Sequence, residues 1–325
     1  MLQVRGRFGP TAAAPLVLNG LMIAALLLPA RRLAEDPSRH AALLALAVVV
    51  AGVLQVLWSL AALRGSEPVA EPAAEPAAAA TATAADPPDL VARRGARDVF
   101  GHAIPMMLGL GALQLGTLAD GVIAGWPSIV GPTVFGVAHP LDPGAMTTVS
   151  LAQRLYQFPL GVFGIAVATA IFPRLARRAS ESDLPGVLET VRSGLRLTVF
   201  IGLPASAGLV LVREPLTATL FEGGDFTAAD TARVAPVAAA YGLGVWAYSI
   251  VHVLARAFYA MELPRVAVRI AMTAVVAGIA LNLVLIWTPL REAGLGAATA
   301  AAAVLQVLLL ARAVTPRLGD PLLAA

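Results

Sequence analysis

One arginine stands inside an apolar run of the sequence, where a charge is energetically costly. Arg154 lies in the stretch SLAQRLYQFPLGVFGIAVATAIFPRLARR, Ser150–Arg178, and Gln157 follows three residues later. On a helix these two side chains share one face. A charge at the centre of a membrane helix costs about 2.5–3.5 kcal/mol on insertion scales, and such residues typically mark substrate paths. Because a guanidinium donates two parallel hydrogen bonds to phosphate, the pattern predicts an anion-binding site at Arg154 and Gln157.

Two further polar residues in apolar runs are candidates for the same site. Asp120 lies near one end of the apolar run that precedes the run of Arg154. His252 lies in the second apolar run after that of Arg154. His252 belongs to a stripe that recurs at helical spacing, Tyr241, Tyr248, His252, Arg256 and Tyr259. The tyrosines can also be read as interfacial belt residues and Arg256 as an anchor. For Arg154, two readings stay open besides anion binding: it snorkels to the outer interface, or it pairs with Asp120 and locks two helices together. Asn282 is predicted to form an interhelical hydrogen bond.

The composition is that of a membrane protein. Of the 325 residues, 58% are apolar and 13% charged, against about 25% charged residues in soluble proteins. The 23 basic residues are all arginine and are scattered between apolar runs, which favours membrane orientation over nucleic-acid binding. The sequence contains no cysteine, which excludes disulfides and thiol catalysis.

Eight runs reach the roughly 20 residues that a membrane helix needs. They are Thr11–Ala30, Ala41–Leu63, Val99–Ala124, Thr148–Phe172, Gly194–Val212, Val234–Ala260, Val266–Trp287 and Ala293–Val314. The predicted fold class is therefore all-α, a polytopic membrane helix bundle. With the N-terminus inside, sixteen arginines fall in inside segments and six in outside segments, which predicts that both termini are cytoplasmic. The segment PRLARR, from Pro173, is predicted to meet anionic phospholipids at the cytoplasmic face.

One polar segment predicts the domain organisation. Gly65–Asp89 alternates Pro, Glu and Ala, a composition that forms an extended linker. We expect two helices in residues 1–64, a cytoplasmic linker in 65–98 and six helices in 99–325. On the outer side, Trp126–Met146 is predicted to be irregular. Thr227 and Asp230 are predicted to begin a helix with a capping box.

Catalytic and metal-binding motifs are missing from the sequence. It contains no P-loop, no H-E-x-x-H and no G-x-S-x-G. The four histidines have no mutual ligand spacing. We expect a protein that is not an enzyme, with no catalytic residues, metal or cofactor.

Four separated stretches resemble one family of membrane transporters. They are APLVLNGLMIAALLLP from Ala14, LAQRLYQFPLGVFGIAVATAIFPRLARRA from Leu151, GLPASAGLVLVREPLTATLFEGGDFTAADTARVAPVAAAYGLG from Gly202 and VLARAFYA from Val253. In this order they resemble the MurJ (MviN) family of lipid II flippases, within the multidrug/oligosaccharidyl-lipid/polysaccharide exporter superfamily.

The resemblance implies a fold, a substrate and one site residue. The fold is a MATE/MurJ-like bundle of fourteen helices in two lobes, around a cavity that opens alternately to each side of the inner membrane. The substrate is lipid II, an undecaprenyl pyrophosphate carrying a disaccharide-pentapeptide for peptidoglycan synthesis, and cationic cavity residues hold its pyrophosphate. Arg154 falls on the arginine of the family's R-L-x-x-x-P motif, and Asp120 falls near a polar position of the preceding helix.

The sequence also departs from the family pattern. The resemblance covers the fifth to twelfth helices, so we expect about eight helices, truncated relative to fourteen. A missing N-terminal half or cell-wall synthesis proteins would then be partners. MELPRVAV, from Met261, replaces the family's Asp–Thr-rich turn. Two alternatives stay open: a polysaccharide-lipid or multidrug exporter, for which Asp120 is the candidate coupling residue, and a non-transporting membrane scaffold.

Overall fold

The computed structural model describes residues 9–27, 37–64 and 114–318. The chain divides into two compact units, Met1–Pro87 and Pro88–Ala325. The boundary falls within the predicted linker 65–98, which lies outside the described residues.

The first unit contains two packed helices, α1 (Gly9–Leu27) and α2 (Pro37–Arg64). Most of α2 is apolar and exposed on every side, which is typical of a helix solvated by lipid. Among residues 38–62, whose burial is described, the buried side chains of α2 are Ala47 and Ala51, one turn apart. Small side chains at this spacing let membrane helices approach closely.

The second unit is an up-and-down bundle with one short hairpin. Its elements in chain order are α3 (114–129), β1 (Thr133–Val134), β2 (Val137–Ala138), α4 (Ala145–Pro159), a π-helical segment (Leu160–Ile165), α5 (Ala166–Ser180), α6 (Leu184–Leu211), α7 (Arg213–Phe221), α8 (Ala228–Gly242), α9 (Val245–Ala260), α10 (Pro264–Leu285) and α11 (Glu292–Leu318). The two strands pair antiparallel, with Val134 opposite Val137.

Local sequence signals explain where several helices begin and end. Thr227 and Asp230 form the predicted capping box at the start of α8, which confirms that prediction. Asp183 caps α6 by accepting a hydrogen bond of 2.9 Å from the Gly186 amide. The turn in MELPRVAV is made by Glu262, whose φ of 59° ends α9 in the left-handed conformation.

Six helices of the described ranges are long and apolar enough to cross a membrane. They are Ser38–Ala62, Ala145–Ser180, Leu184–Leu211, Ala228–Ala260, Pro264–Leu285 and Glu292–Pro316. In the first predicted span, the described apolar helix is the shorter Leu16–Leu27. Most of the third predicted span lies outside the described residues. Its described end is α3. Asp120 of α3 contacts side chains of α8 and α10, so α3 packs against these two helices.

Two predicted spans differ from the structure in their bounds. The span predicted as Thr148–Phe172 is a longer helix, Ala145–Ser180, that continues through Pro173 and the arginines after it. The span predicted as Val234–Ala260 begins at Ala228 and is interrupted by a turn at Leu243–Gly244. The turn divides it into α8 and α9, which together form the most buried span of the unit.

Ion pairs tie together the end of the second unit that carries the hairpin, which we call the hairpin end. Arg233 of α8 donates two hydrogen bonds to Glu292 at the start of α11, at 2.9 and 2.6 Å. Beside this pair, Arg291 contacts Asp142 in the segment that follows the hairpin. The opposite, arginine-rich end carries the turns between α5 and α6 and between α9 and α10.

Close packing of α8 against α11 depends on Gly296. A Cβ atom at this position would lie 2.9 Å from the Tyr241 amide nitrogen and 2.9 Å from the Ala240 Cβ. Because backbone atoms cannot yield as a flexible side chain can, Gly296→Ala is expected to push the two helices apart. Overpacking of this kind costs about 1–3 kcal/mol. The melting temperature of the purified protein in detergent should therefore fall.

A matched glycine provides the control. Gly208, within α6, has no atom within 4 Å of an added Cβ. Gly208→Ala is expected to leave the melting temperature unchanged or raise it slightly, because alanine favours the helix by about 0.5–1 kcal/mol. Equal melting temperatures for the two variants would contradict the packing argument.

Candidate functional site

Arg154 and Gln157 lie side by side on an exposed face of α4. The opposite face of this helix is buried against the rest of the bundle and includes Ala152 and Leu155. The predicted shared face is therefore confirmed. Within the described part of the chain, Arg154 pairs with no carboxylate. The face thus presents an uncompensated cation and an amide from inside an apolar span.

Asp120 lies inside the bundle, away from Arg154. It is 5% exposed. Its Oδ2 accepts a hydrogen bond from the Tyr241 hydroxyl at 3.1 Å, and its Oδ1 accepts one from the Asn282 side-chain amide at 2.6 Å. The alternative in which Arg154 pairs with Asp120 is wrong, because donors from α8 and α10 occupy the carboxylate. The interhelical hydrogen bond predicted for Asn282 is confirmed.

Aromatic rings connect this buried network to α4. Tyr156 stacks on Tyr241, with ring centroids 5.0 Å apart, and its ring also lies 5.3 Å from that of Tyr248. The Gln153 amide donates to the Tyr241 hydroxyl at 3.2 Å. Two members of the predicted polar stripe therefore face α4. Gln153 and Tyr156 bracket Arg154, so the network fixes the turn of α4 that carries the arginine.

The polar stripe continues along α9 towards the arginine-rich end. His252 is half-buried, and one turn later the Arg256 guanidinium lies over the Phe172 ring, 5.7 Å from its centroid. Among the described residues, His252 has no hydrogen bond to Arg154, Gln157 or Asp120. The structure thus brings Arg154 and Gln157 together and gives Asp120 and His252 separate surroundings. A substrate contact by either of these two stays a prediction.

A π-helical segment follows Arg154 and was not foreseen from the sequence. It spans Leu160–Ile165, directly after Pro159, which lacks the amide hydrogen that would continue the α-helical pattern. Gly164 within it packs against the Ser249 side chain of α9. The available signal was a proline followed by two glycines within an apolar run. Segments of this type change the direction of a helix and are frequent at functional sites.

The described residues offer no metal site. Within ranges 9–27, 37–64 and 114–318, no three His, Cys, Asp or Glu side chains come together to hold an ion. A guanidinium and an amide side by side, as at Arg154 and Gln157, are groups that can donate hydrogen bonds to an anion.

Comparison with protein families and with curated relatives shows which proteins this chain is similar to. A family model described as lipid II flippase MurJ matches residues 1–323. A probable lipid II flippase MurJ of Haemophilus influenzae is 28% identical over 318 residues, covering 96% of this chain and 56% of that protein. One from Vibrio cholerae is 32% identical over 209 residues, covering 64% of this chain and 37% of that protein. The chain thus spans about half or less of the length of these relatives.

Solved structures show the same fold at low sequence identity. A lipid II flippase MurJ in an inward closed conformation has a TM-score of 0.70 at 18% identity, covering 95% of this chain and 56% of that chain. An outward-facing multidrug resistance MATE family transporter of the MOP superfamily has a TM-score of 0.55 at 17% identity, covering 67% of this chain and 44% of that chain. The predicted fold class, a MATE/MurJ-like helical membrane bundle, is confirmed.

The apolar helices and these relatives make this a multi-pass membrane protein. The family model extends over nearly the whole chain, including the four stretches on which the resemblance rested. The chain belongs to the MurJ family of lipid II flippases.

Proposed function

We propose that this chain contributes the Arg154-bearing lobe of a transporter that moves lipid II across the inner membrane by alternating access. The observation that carries the proposal is the exposed Arg154 beside Gln157 within an apolar span, where Arg154 pairs with no carboxylate of the described residues. Membership of the MurJ family supports lipid II as the cargo. Because the chain spans about half of its relatives, the proposal concerns what this part adds to transport.

The face that carries Arg154 suits an amphiphilic anion. A guanidinium binds a pyrophosphate through two parallel, charge-assisted hydrogen bonds, and an amide such as Gln157 adds a further donor. Phe158, one turn beyond Arg154, is 72% exposed and extends the same face as an apolar surface. A polar head and an apolar chain on one molecule would therefore both find complementary groups.

We further infer how the chain is organised and oriented. Residues 1–64 would end the first lobe, 65–98 would form a cytoplasmic linker, and 99–325 would form the second lobe. At the arginine-rich end, Arg178 binds Glu189 at 2.8 Å, whereas Arg174 and Arg177 are exposed. Exposed arginines suit the anionic phospholipids of the cytoplasmic leaflet, which supports an orientation with both termini inside. Protease cleavage of 65–98 from the cytoplasmic side would check this orientation, and cleavage from the opposite side would contradict it.

The cargo can be tested by binding in lipid nanodiscs. The full chain should bind lipid II more tightly than undecaprenyl monophosphate, because the pyrophosphate offers more oxygen acceptors to Arg154. Expression in a strain depleted of its native flippase should also support growth if the chain is joined by the partner it needs. Equal binding of the two lipids would overturn the assignment of Arg154 to pyrophosphate. Binding without support of growth would favour a non-transporting scaffold.

One observation favours a second candidate, a multidrug or polysaccharide-lipid exporter. The bundle resembles a multidrug resistance MATE family transporter, and Asp120 is a buried carboxylate within the membrane layer. An exporter of cationic drugs would use such a carboxylate for ion coupling. Increased drug resistance on expression, lost in Asp120→Asn, would favour this function over lipid II transport.

A further inference from the structure

The hairpin that follows α3 presents a large apolar side chain at its tip. Phe135 and Gly136 join β1 to β2 with φ values of 48° and 82°. Two-residue hairpin turns with positive φ at both positions favour Asn, Asp or Gly, because a Cβ atom is crowded there. Phe135 occupies the first position nonetheless, so this turn holds an unfavourable residue.

The Phe135 side chain packs against nothing in the described part of the chain. Its relative exposure is 104%, and nearby Ile129, Val130 and Val137 are 73%, 62% and 56% exposed. The base of the hairpin is nevertheless fixed. The Trp126 indole donates to the Thr133 carbonyl at 3.2 Å. The base of the hairpin is therefore tied to the end of α3.

The charge distribution at the hairpin end separates two kinds of surface. From Gly121 to Leu141 the sequence contains no charged residue. The neighbouring segment at the same end has six, Arg213, Glu214, Glu222, Asp225, Asp230 and Arg233. Arg233 donates to the Pro143 carbonyl at 3.4 Å, two residues beyond the uncharged segment, so the charged segment lies beside it. A loop surrounded by water would not expose four large apolar side chains without a charge among them.

The hairpin continues an exposed apolar stripe of α3. Leu115, Leu118, Val122 and Ile129 lie on one face of this helix, and each is at least 47% exposed. Trp126, near the end of α3, is a residue type enriched at membrane interfaces. Because α3 packs against α8 and α10, which belong to candidate membrane spans, we expect its end and the hairpin to lie where the hydrocarbon core gives way to lipid headgroups.

We propose that the hairpin inserts into the lipid leaflet at the hairpin end, with Phe135 at the boundary between headgroups and acyl chains. The ligand is the phospholipid surface itself. Burial in lipid offsets the cost of the left-handed phenylalanine and accounts for the uncharged sequence. This anchor would hold the hairpin end of α3 at a fixed depth, independently of the cargo that is transported.

The chain contains no cysteine, so one engineered thiol can report depth without background labelling. Phe135→Cys carries an environment-sensitive NBD fluorophore in nanodiscs of phosphatidylcholine and phosphatidylglycerol, where both faces are open to solvent. We expect blue-shifted emission, at least twofold quenching by phosphatidylcholine bearing a doxyl group at acyl carbon 5, and weak quenching by iodide. The control is Asp225→Cys, which is exposed in the charged segment and should show strong iodide quenching and weak doxyl quenching.

Three outcomes would overturn the proposal. Iodide quenching at position 135 equal to that at 225 would place the hairpin in water. Protection from both quenchers would mean that protein covers the tip. A label on Val137→Cys tests the same surface two residues away, and its failure to show doxyl quenching would show that the hairpin does not enter the leaflet.

Discussion

Replacing Arg154 with alanine is expected to abolish the contribution of this chain to lipid pyrophosphate transport. Hydrogen bonds to charged groups contribute about 1.5–3 kcal/mol each, so losing a two-bond contact should weaken pyrophosphate-lipid binding by about 100-fold or more. Binding of lipid II in nanodiscs measures this loss directly. Growth of a flippase-depleted strain measures it in the cell. Because Arg154 is exposed and pairs with no described carboxylate, the melting temperature should stay unchanged.

Two variants make this prediction specific. Arg154→Lys keeps the charge but lacks the planar fork, so binding should be intermediate. Arg177→Ala removes an exposed arginine near the end of α5, beyond the π-helical segment, and should leave lipid II binding unchanged. If Arg154→Ala supports growth at equal protein level, or if both alanine variants weaken binding equally, Arg154 is not a specific pyrophosphate contact.

The membrane helices could be predicted from the sequence because the length of an apolar run decides whether it can cross the membrane as a helix. Runs of about 20 apolar residues have no stable alternative to a helix in lipid, since every backbone polar group must be satisfied within the segment. The shared face of Arg154 and Gln157 followed from spacing alone. The cap at Thr227 followed from local hydrogen bonding. Each of these features depends on residues close together in sequence.

The partners of Asp120 could not be predicted in the same way. Tyr241 and Asn282 lie 121 and 162 residues away, and which helices meet is decided by packing of the whole bundle. Opposite charge left pairing with Arg154 open as one alternative, yet the Asp120 carboxylate accepts hydrogen bonds from Tyr241 and Asn282 instead. The π-helical segment could not be predicted for a related reason. Pro159 permits such a segment, but the packing of Gly164 on α9 decides where it forms. The segment Trp126–Met146 was predicted to be irregular from its proline and glycine content. The structure places a hairpin there instead, with strands of two residues each, too short to leave a periodic pattern in the sequence.

Replacing Asp120 with alanine is expected to cause a large loss of stability. The Tyr241 hydroxyl and the Asn282 amide would each lose the acceptor they use, in a site that water does not reach. A buried donor left without a partner costs about 1–3 kcal/mol, so the two together should lower the free energy of unfolding by at least about 2 kcal/mol. A fall in melting temperature of roughly 4–8 °C would follow for a unit of this size. Thermal unfolding in detergent measures it.

A buried hydroxyl in the same bundle supplies the matched control for Asp120. Thr198 of α6 is 2% exposed, and its hydroxyl has no hydrogen-bond partner among the residues that the structure describes. Thr198→Val removes that hydroxyl while keeping the shape, so the melting temperature should stay level or rise. Asp120→Asn retains one acceptor oxygen and should lose about half as much stability as Asp120→Ala. If Asp120→Ala and Thr198→Val melt at the same temperature, the contacts of Asp120 with α8 and α10 do not stabilise the bundle. In that case, contacts other than the network of Asp120 and Tyr241 would have to hold the turn of α4 that carries Arg154.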